Sequence, residues 1–270
     1  MIRLVDALTL EEMVAFIEKY NHGAKEIRYM EKDSRAIKSR LNNRLDKGGL
    51  LLRVEEDESI GYIECMLVND ESYIQIVSLC IDGEVDKVLD QTFAYIKEEY
   101  PGYALDIVLS KKNEEYIQYF LDQNFASTGF EQMMVISLHG KHKEVKKIDK
   151  LSKEDYEIFS QIHDQIFKDV YWTSERLLDK DAPFLIVVHK ENDKLLGYSV
   201  CSNKGRSEEE VYFLYGESKE IKEHLFKISM QAVLPTCKSL LYLLEESSTM
   251  QPMLEAMGFQ EKETIITFSM

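Results

Sequence analysis

The sequence predicts a mixed α+β protein made of two tandem copies of one domain. Three observations carry this. An apolar run, a charged turn and then Gly-Tyr-x-x-Cys occur twice, around Gly61, Tyr62 and Cys65 and around Gly197, Tyr198 and Cys201, at the same spacing. Each copy reads as a strand, a polar hairpin turn and a second strand. A helix entry, Val5-Asp6-x-Leu8-Thr9-x-Glu11-Glu12, returns as Ile148-Asp149-x-Leu151-Ser152-x-Glu154-Asp155, independently of the hairpin. In both halves a long apolar strand then runs directly into a helix, and another strand follows. Strand–helix–strand crossovers within a mostly antiparallel sheet give layers that share one core.

The elements follow in order. Residues 2–4 form a short strand, and Met13, Phe16, Ile17 and Tyr20 recur at helical spacing after Thr9 and Glu12, a capping-box pair. Tyr156, Phe159, Ile162 and Ile166 are their counterparts. A second helix over 34–45 is basic (Arg35, Lys38, Arg40, Arg44), and its counterpart covers 174–178, after Tyr171-Trp172. The hairpins come next, then strands over 73–81 and 210–215. These lead into helices over 85–100 and 219–234, stopped by Pro101 and Pro235. Strands over 104–109 and 240–244 precede short helices over 113–122 and 249–257. Those helices end at Asn124-Phe125 and Gly258-Phe259, where Asn or Gly suits a left-handed C-cap. Each half closes with a strand, 132–138 or 264–270, and one further strand is expected. Residues 141–147, a basic stretch after Gly140, are the expected linker between domains at 1–140 and 148–270.

With 270 residues, 44% hydrophobic and 30% charged, the composition is that of a soluble globular protein. No apolar run approaches the roughly 20 residues needed to span a bilayer. The first residues lack the apolar core of a signal peptide, so a cytoplasmic location is expected. The four cysteines include no C-x-x-C pair and read as small core hydrophobes, as suits a reducing compartment. A formal net charge of −16 argues against a nucleic-acid partner and favours a cationic or amine substrate. No Cys/His cluster has zinc spacing, so no metal is expected, and neither a phosphate-binding Walker loop nor a nucleophile elbow is present.

This order and spacing resemble the GNAT superfamily of acyl-CoA N-acyltransferases, in tandem. The resemblance rests on the two Gly-Tyr hairpins, the strand–helix–strand unit after each, and the closing helices. The family's closing motif reads roughly Asn-x-x-Ala-x-x-Phe-Tyr-x-x-x-Gly-Phe, and Asn113-Glu-Glu-Tyr116-Ile-Gln-Tyr119-Phe120-Leu-Asp-Gln-Asn124-Phe125 matches its spacing. The resemblance implies two acyltransferase-like domains, each a mostly antiparallel twisted sheet with helices on both faces. It also implies acetyl-CoA as cosubstrate, held where the fourth and fifth strands splay, and a small-molecule or peptide amine as acceptor. By resemblance, Leu79, Cys80 and Ile81 offer backbone amides to the pantetheine. Gly83, Val85 and Lys87 lie at the pyrophosphate turn, and Asn113 opens the closing helix.

The chain departs from the family at its chemistry. The turns after the fourth strands keep one glycine each, Gly83 and Gly216, and put Asp82, Glu84 and Asp86 where phosphates would sit. Those carboxylates also suit a helix N-terminus as such. The family's proton-donor tyrosine is replaced by Phe120 and Leu254. Tyr119 is adjacent but about 100° away around the helix, and Tyr116 lies one turn back. Glu64 interrupts an apolar strand and is the leading candidate general base, with Glu71 and Glu210 as others. Lys87 or Lys111 is a candidate for an altered phosphate grip, and Tyr171-Trp172 for an aromatic wall around an amine. Two functions are therefore open. One is an acetyl-CoA-dependent N-acetyltransferase acting on an unidentified amine, with the first half active. The other is a non-catalytic tandem protein used for binding or interaction.

Overall fold

The computed structural model describes residues 1–5, 9–23, 33–139, 148–168, 170–205, 208–233, 237–246 and 248–270. The first half of the chain forms β1 (Ile2–Leu4), α1 (Leu10–Asn21), α2 (Ser34–Asp46), β2 (Leu50–Glu56), β3 (Ser59–Val68), β4 (Tyr73–Asp82), α3 (Val85–Glu99), β5 (Ala104–Ser110), α4 (Glu114–Asp122) and β6 (Ala126–Ser137). The second forms α5 (Tyr156–Ile166), α6 (Ser174–Leu177), β7 (Phe184–Glu191), β8 (Lys194–Ser202), β9 (Glu208–Gly216), α7 (Lys219–Val233), β10 (Ser239–Glu245), α8 (Gln251–Met257) and β11 (Gln260–Ser269). The order is the repeated mixed one. No strand beyond β6 or β11 closes either half among the described residues, so the expected additional strand is corrected.

The chain divides into two compact units, Met1–Gln132 with Lys262–Met270, and Met133–Glu261. The expected linker at 141–147 lies outside the described residues. The units exchange their closing strands: residues 262–270, carrying most of β11, belong to the first unit, and residues 133–137 of β6 belong to the second. In the first unit the strands run β1-β2-β3-β4-β5-β11. All neighbours are antiparallel except β4 and β5, which α3 connects as a parallel crossover. In the second unit the order is β6-β10-β9-β8-β7, with β9 and β10 parallel.

Alternation within the strands sorts side chains onto two faces. Leu52, Val54, Ile63, Ile76, Leu79, Ile81 and Ile107 pack with Val88, Ile96, Tyr116 and Phe120 of α3 and α4. Leu51, Tyr62 and Cys80 pack on the opposite face with Met13, Ile17, Ile37 and Leu41 of α1 and α2. All four cysteines are buried and none is in a disulfide.

The repeated Gly-Tyr pair follows from this two-faced packing. A Cβ on Gly61 would lie 2.4 Å from Val88 Cγ1 of α3, and one on Gly197 would lie 2.8 Å from Ile221 Cγ2 of α7. Each glycine thus lets the helix after the fourth strand sit on the hairpin. The adjacent tyrosines face the other way: Tyr62 packs on Phe16 of α1 at 4.9 Å between ring centroids, and Tyr198 on Phe159 of α5 at 4.8 Å.

The helix ends follow the sequence closely except at one cap, and the expected stop at Pro235 lies outside the described residues. Asn124 and Gly258 have φ of 60° and 95°, left-handed as expected. Ser152 and Asp155 form the reciprocal capping box, but Thr9 makes no side-chain cap bond to α1. Thr9 itself has helical backbone angles (φ −90°, ψ −11°), and an N-cap side chain reaches the next turn from an extended backbone.

Gly61→Ala is expected to lower stability by about 1–3 kcal/mol, because the new methyl overlaps Val88 and either α3 or the hairpin must shift. Urea unfolding followed by circular dichroism measures this, and the double variant Gly61→Ala with Val88→Ala should recover part of the loss.

Candidate active site

The site begins with a register shift. In the β3–β4 ladder Glu64 pairs with Ser78 and Cys65 pairs with Ile76, so Val77 is an extra residue, a β-bulge. At the same place the β4–β5 ladder stops: Tyr73–Ile76 pair with Ala104–Ile107, and no further pair follows. Beyond Ile76 the two parallel strands diverge and leave a splayed cleft. The second unit repeats the device. Val200 pairs with Phe213 and Cys201 with Val211, leaving Tyr212 extra, and β9–β10 pairing ends at Val211 and Tyr242.

In the first unit a tyrosine occupies the splay. Tyr116 of α4, 1% exposed, accepts a hydrogen bond at Oη from the Ile81 N–H at 3.1 Å. Ile81 is paired with Gly61 on its other side, so this amide faces the cleft. Tyr116 Oη also lies 2.9 Å from Tyr20 Oη of α1. Burial, then the neighbouring Tyr20, pushes the Tyr116 phenol far above its ordinary range, and burial raises Tyr20 as well. Both are neutral hydroxyls. Two cavities flank the pair. One of about 210 Å³ is lined by Phe16, Lys19, Tyr20, Ile81, Asp82 and Gly83, and one of about 240 Å³ by Lys112, Asn113, Glu114, Glu115 and Tyr116.

The other closing-helix aromatics face elsewhere. Tyr119 donates to Asp90 Oδ1 at 2.8 Å and stacks on Phe93, which ties it to α3 and not to the cleft. Phe120 is fully buried against Phe93, Phe125 and Phe268. Asn113 is 6% exposed, and its Oδ1 has no hydrogen-bond partner.

The turn after β4 holds its groups with internal partners. Gly83 has φ of 109°, and a Cβ there would lie 2.8 Å from Ser59 Cα. Ser59 Oγ accepts the Glu84 N–H at 2.9 Å, so the first amide of the turn is already bonded. Lys87 Nζ contacts Asp57 Oδ2 at 2.8 Å and Glu84 Oε1 at 3.1 Å, and these two carboxylates hold its pKa above the ordinary lysine range. Asp82 and Glu84 are exposed beside it. The side chains of Leu79, Ile81 and Val85 are buried in the α3–α4 core, and that of Cys80 lies in the α1–α2 core with burial pushing its thiol to about 12. These four residues therefore offer a ligand only their backbones. Lys111 Nζ stands 4.6 Å over the Phe130 ring.

Glu64 is not a free general base. It is fully buried, with Oε1 accepting from Arg44 Nε at 3.0 Å and Oε2 paired with Arg40. Gly49 makes room for this pairing, since a Cβ there would lie 2.4 Å from Arg44 Cδ. Glu71 sits in the turn at the start of β4, at the end opposite the splay. Glu210 precedes the Tyr212 bulge and pairs with Leu241, where its N–H is bonded to Ser202 Oγ. Trp172 is an anchor: its ring packs edge-on to Phe184, and its carbonyl lies 3.0 Å from His163 Nε2.

Sequence reasoning missed Tyr20 and Ser59. Tyr20 sat on the apolar stripe of α1 and read as core, and Ser59 read as part of the hairpin turn. Also missed was Glu263, a buried carboxylate on β11, because its strand reaches the first unit only through the exchange. Among the described residues no group of three or more His, Cys, Asp or Glu is placed to hold a metal ion, and no helix is long and apolar enough to cross a membrane.

Solved structures share this architecture across the whole chain. A GCN5-related N-acetyltransferase from Sphaerobacter thermophilus superposes with a TM-score of 0.67 at 11% identity, covering 100% of this chain and 95% of that one. The chain has the GNAT fold. A tandem GNAT protein from the clavulanic acid biosynthesis pathway matches with a TM-score of 0.57 at 9% identity, over 100% of this chain and 98% of its own. An acetyltransferase from Pyrococcus horikoshii, itself assigned by inference, matches at 0.56 and 15% identity, over 100% and 88%. No protein-family model matches the sequence, and no curated protein sequence matches it significantly. At these identities the likeness establishes the fold, including its tandem form, and leaves the reaction to be argued from the cleft.

Two measurements test the assignments above. Glu64→Gln is expected to cost about 3 kcal/mol in urea unfolding, because Arg40 and Arg44 lose the charge between them. His163 of α5 donates from Nε2 to the Trp172 carbonyl and accepts at Nδ1 from Tyr198. Burial holds its pKa below the ordinary value near 6.5. The unfolded chain therefore takes up this proton first as pH falls. The contribution is complete above about pH 6.5 and is lost as pH drops through the folded value. Urea midpoints at pH 7.5 and 5 should show this loss, and His163→Gln should diminish it.

Proposed function

We propose that the chain is an acyl-CoA-dependent N-acyltransferase, with acetyl-CoA as acyl donor and an amine as acceptor, and that the first unit binds the donor. The observation that supports this most is the Ile81 amide, exposed to the splay by the Val77 bulge and bonded to a side chain that can leave. The Tyr116 hydroxyl there stands in for a carbonyl oxygen, the acceptor that a thioester or pantetheine amide presents. Asn113 Oδ1 supplies the converse, a buried acceptor lacking a donor, and the N–H of a pantetheine amide is such a donor.

Acetyl-CoA would supply an acyl group already activated as a thioester. The chain's own residues would bind and orient it. The Ile81 N–H donates to an oxygen in the cleft, the Asn113 oxygen accepts from an amide, and the neutral Tyr116 phenol keeps a transferable proton at Oη. Turning Tyr116 about its side-chain bonds frees the Ile81 amide and breaks the contact with Tyr20. The turn after β4 fits a diphosphate poorly, since Ser59 occupies an amide and Asp82, Glu84 and the engaged Lys87 give no net positive charge. The donor is therefore held mainly by its pantetheine arm. Four buried thiols, none in a disulfide, accord with a cytoplasmic setting.

A second reading, a tandem GNAT-like protein that binds or interacts without acyl transfer, is favoured by the same acidic turn and by the loss of Glu64 to Arg40 and Arg44.

Calorimetric titration with acetyl-CoA separates the two. Tyr116→Ala empties the splay, so its affinity should rise about tenfold over the wild type, at a stability cost of about 3–5 kcal/mol. Absence of heat up to millimolar acetyl-CoA in both proteins would end the acyltransferase reading.

A further inference from the structure

We infer that the second unit holds a small organic carboxylate in a cavity of about 380 Å³ between α7 and the outer strand β7, where His189, His224 and Lys227 meet the charged end. This goes beyond acyl transfer and does not rest on it. The cavity lies at the β7 end of the strand order, with β8 between it and β9, away from the β9–β10 splay.

Two elements build its wall. On α7, His224, Lys227, Ile228 and Gln231 recur at i, i+3, i+4 and i+7 and form one stripe. On β7, His189 pairs with Gly197, and a Cβ on Gly197 would lie 3.0 Å from Leu225 Cδ1 of α7, so His189 shares the face that α7 covers. The two imidazoles meet edge to face, with ring centroids 5.1 Å apart and planes at 79°. Lys150 bridges Val187 in the antiparallel sense, which sets Ile148 level with His189. Ile148 and Ile228 give the cavity an apolar floor.

The first unit offers a comparison at the same place. There Gly61 pairs with Val54, which is fully buried in one core with Val88. The buried positions of α3, Val88, Leu89, Thr92 and Ile96, have the same spacing as Leu225, Phe226, Ser229 and Val233 of α7. Aligned so, His189 replaces Val54, Lys227 replaces Asp90 and Gln231 replaces Ala94. The fold therefore does not require polar groups here, since its other copy packs valine. What they add is a cluster of hydrogen-bond donors around an apolar floor, the composition of a small-molecule site.

The donors select an anion. Lys227, Gln231 and both imidazoles can all donate N–H. Among the lining residues Asp149 is the one carboxylate. The acids that pair with the cations stand outside the lining. Glu223, one turn back on α7, engages one of the three donors that an ammonium group carries. Glu191 is exposed and lies 3.5 Å from His189 Nε2, and Asp155, at the start of α5, pairs with Lys190. The apolar floor suits the hydrocarbon body of an organic acid, which inorganic phosphate lacks. A cavity of this volume falls within the range of about 300–1,000 Å³ usual for small ligands.

The test titrates sodium benzoate and sodium hexanoate by calorimetry into the wild type, Lys227→Met, His189→Val and the control Lys180→Met, which removes a solvated charge elsewhere in the unit. Benzyl alcohol and 1-hexanol are the uncharged matches, and inorganic phosphate is the bare anion. At least one carboxylate should bind the wild type and the control alike, with a Kd below about 1 mM. Lys227→Met and His189→Val should each bind it at least about tenfold more weakly, and the wild type should bind the matching alcohol and phosphate at least about tenfold more weakly than the acid. Absence of binding by both carboxylates, unchanged affinity in either variant, or an alcohol or phosphate that binds as tightly as the acid overturns the inference. If circular dichroism shows His189→Val unfolded, His224→Gln at its exposed position carries the same comparison.

Discussion

One extra residue in β4 governs the first unit. Val77 bulges out of the β3–β4 ladder, and the twist this adds turns the end of β4 away from β5 just where their pairing stops. Backbone groups that would have bonded across the sheet then face a gap. A buried amide must find an acceptor, and the Ile81 N–H finds the Tyr116 hydroxyl. The same geometry recurs at Tyr212 in the second unit, so it is a property of the fold and not of one set of side chains. In the first unit the gap is filled by Tyr116.

Much of the architecture was legible because it rests on local rules. The Gly-Tyr pairs marked positions where a helix touches one face of a hairpin and an aromatic ring fills the other, and Asn124 and Gly258 marked left-handed backbone. The Thr9 cap failed because a capping pattern needs an extended backbone at the cap, which sequence does not report. The strand exchange was hidden for a deeper reason. Alternation and apolarity announce a strand, but its partner depends on tertiary geometry, and β11 would read identically beside β5 or elsewhere.

The site was less legible than the fold, and particular residues show why. Glu64 in an apolar run was rightly seen as unusual. Its explanation lay in Arg40 and Arg44, which a one-dimensional reading assigns to a solvated face. Lys87 looks in sequence like a candidate phosphate grip, but a hairpin turn brings Asp57 to it. Spacing alone sets Tyr116 and Tyr119 on different sides of the helix, but only the structure gives one to the Ile81 amide and the other to Asp90. In each case the missing fact was a contact between residues far apart in the chain.

The exchange of closing strands has a consequence for synthesis. On a ribosome the first unit emerges with nearly all its helices and strands, but the edge of β5 stays bare until residues 262–270 follow. Its neighbour on that side, β11, is made after the whole second unit. A nascent chain in this state carries an open, apolar strand edge through the translation of the whole second unit. That is a long interval in which a chaperone, or the same edge on a neighbouring nascent chain, can bind first.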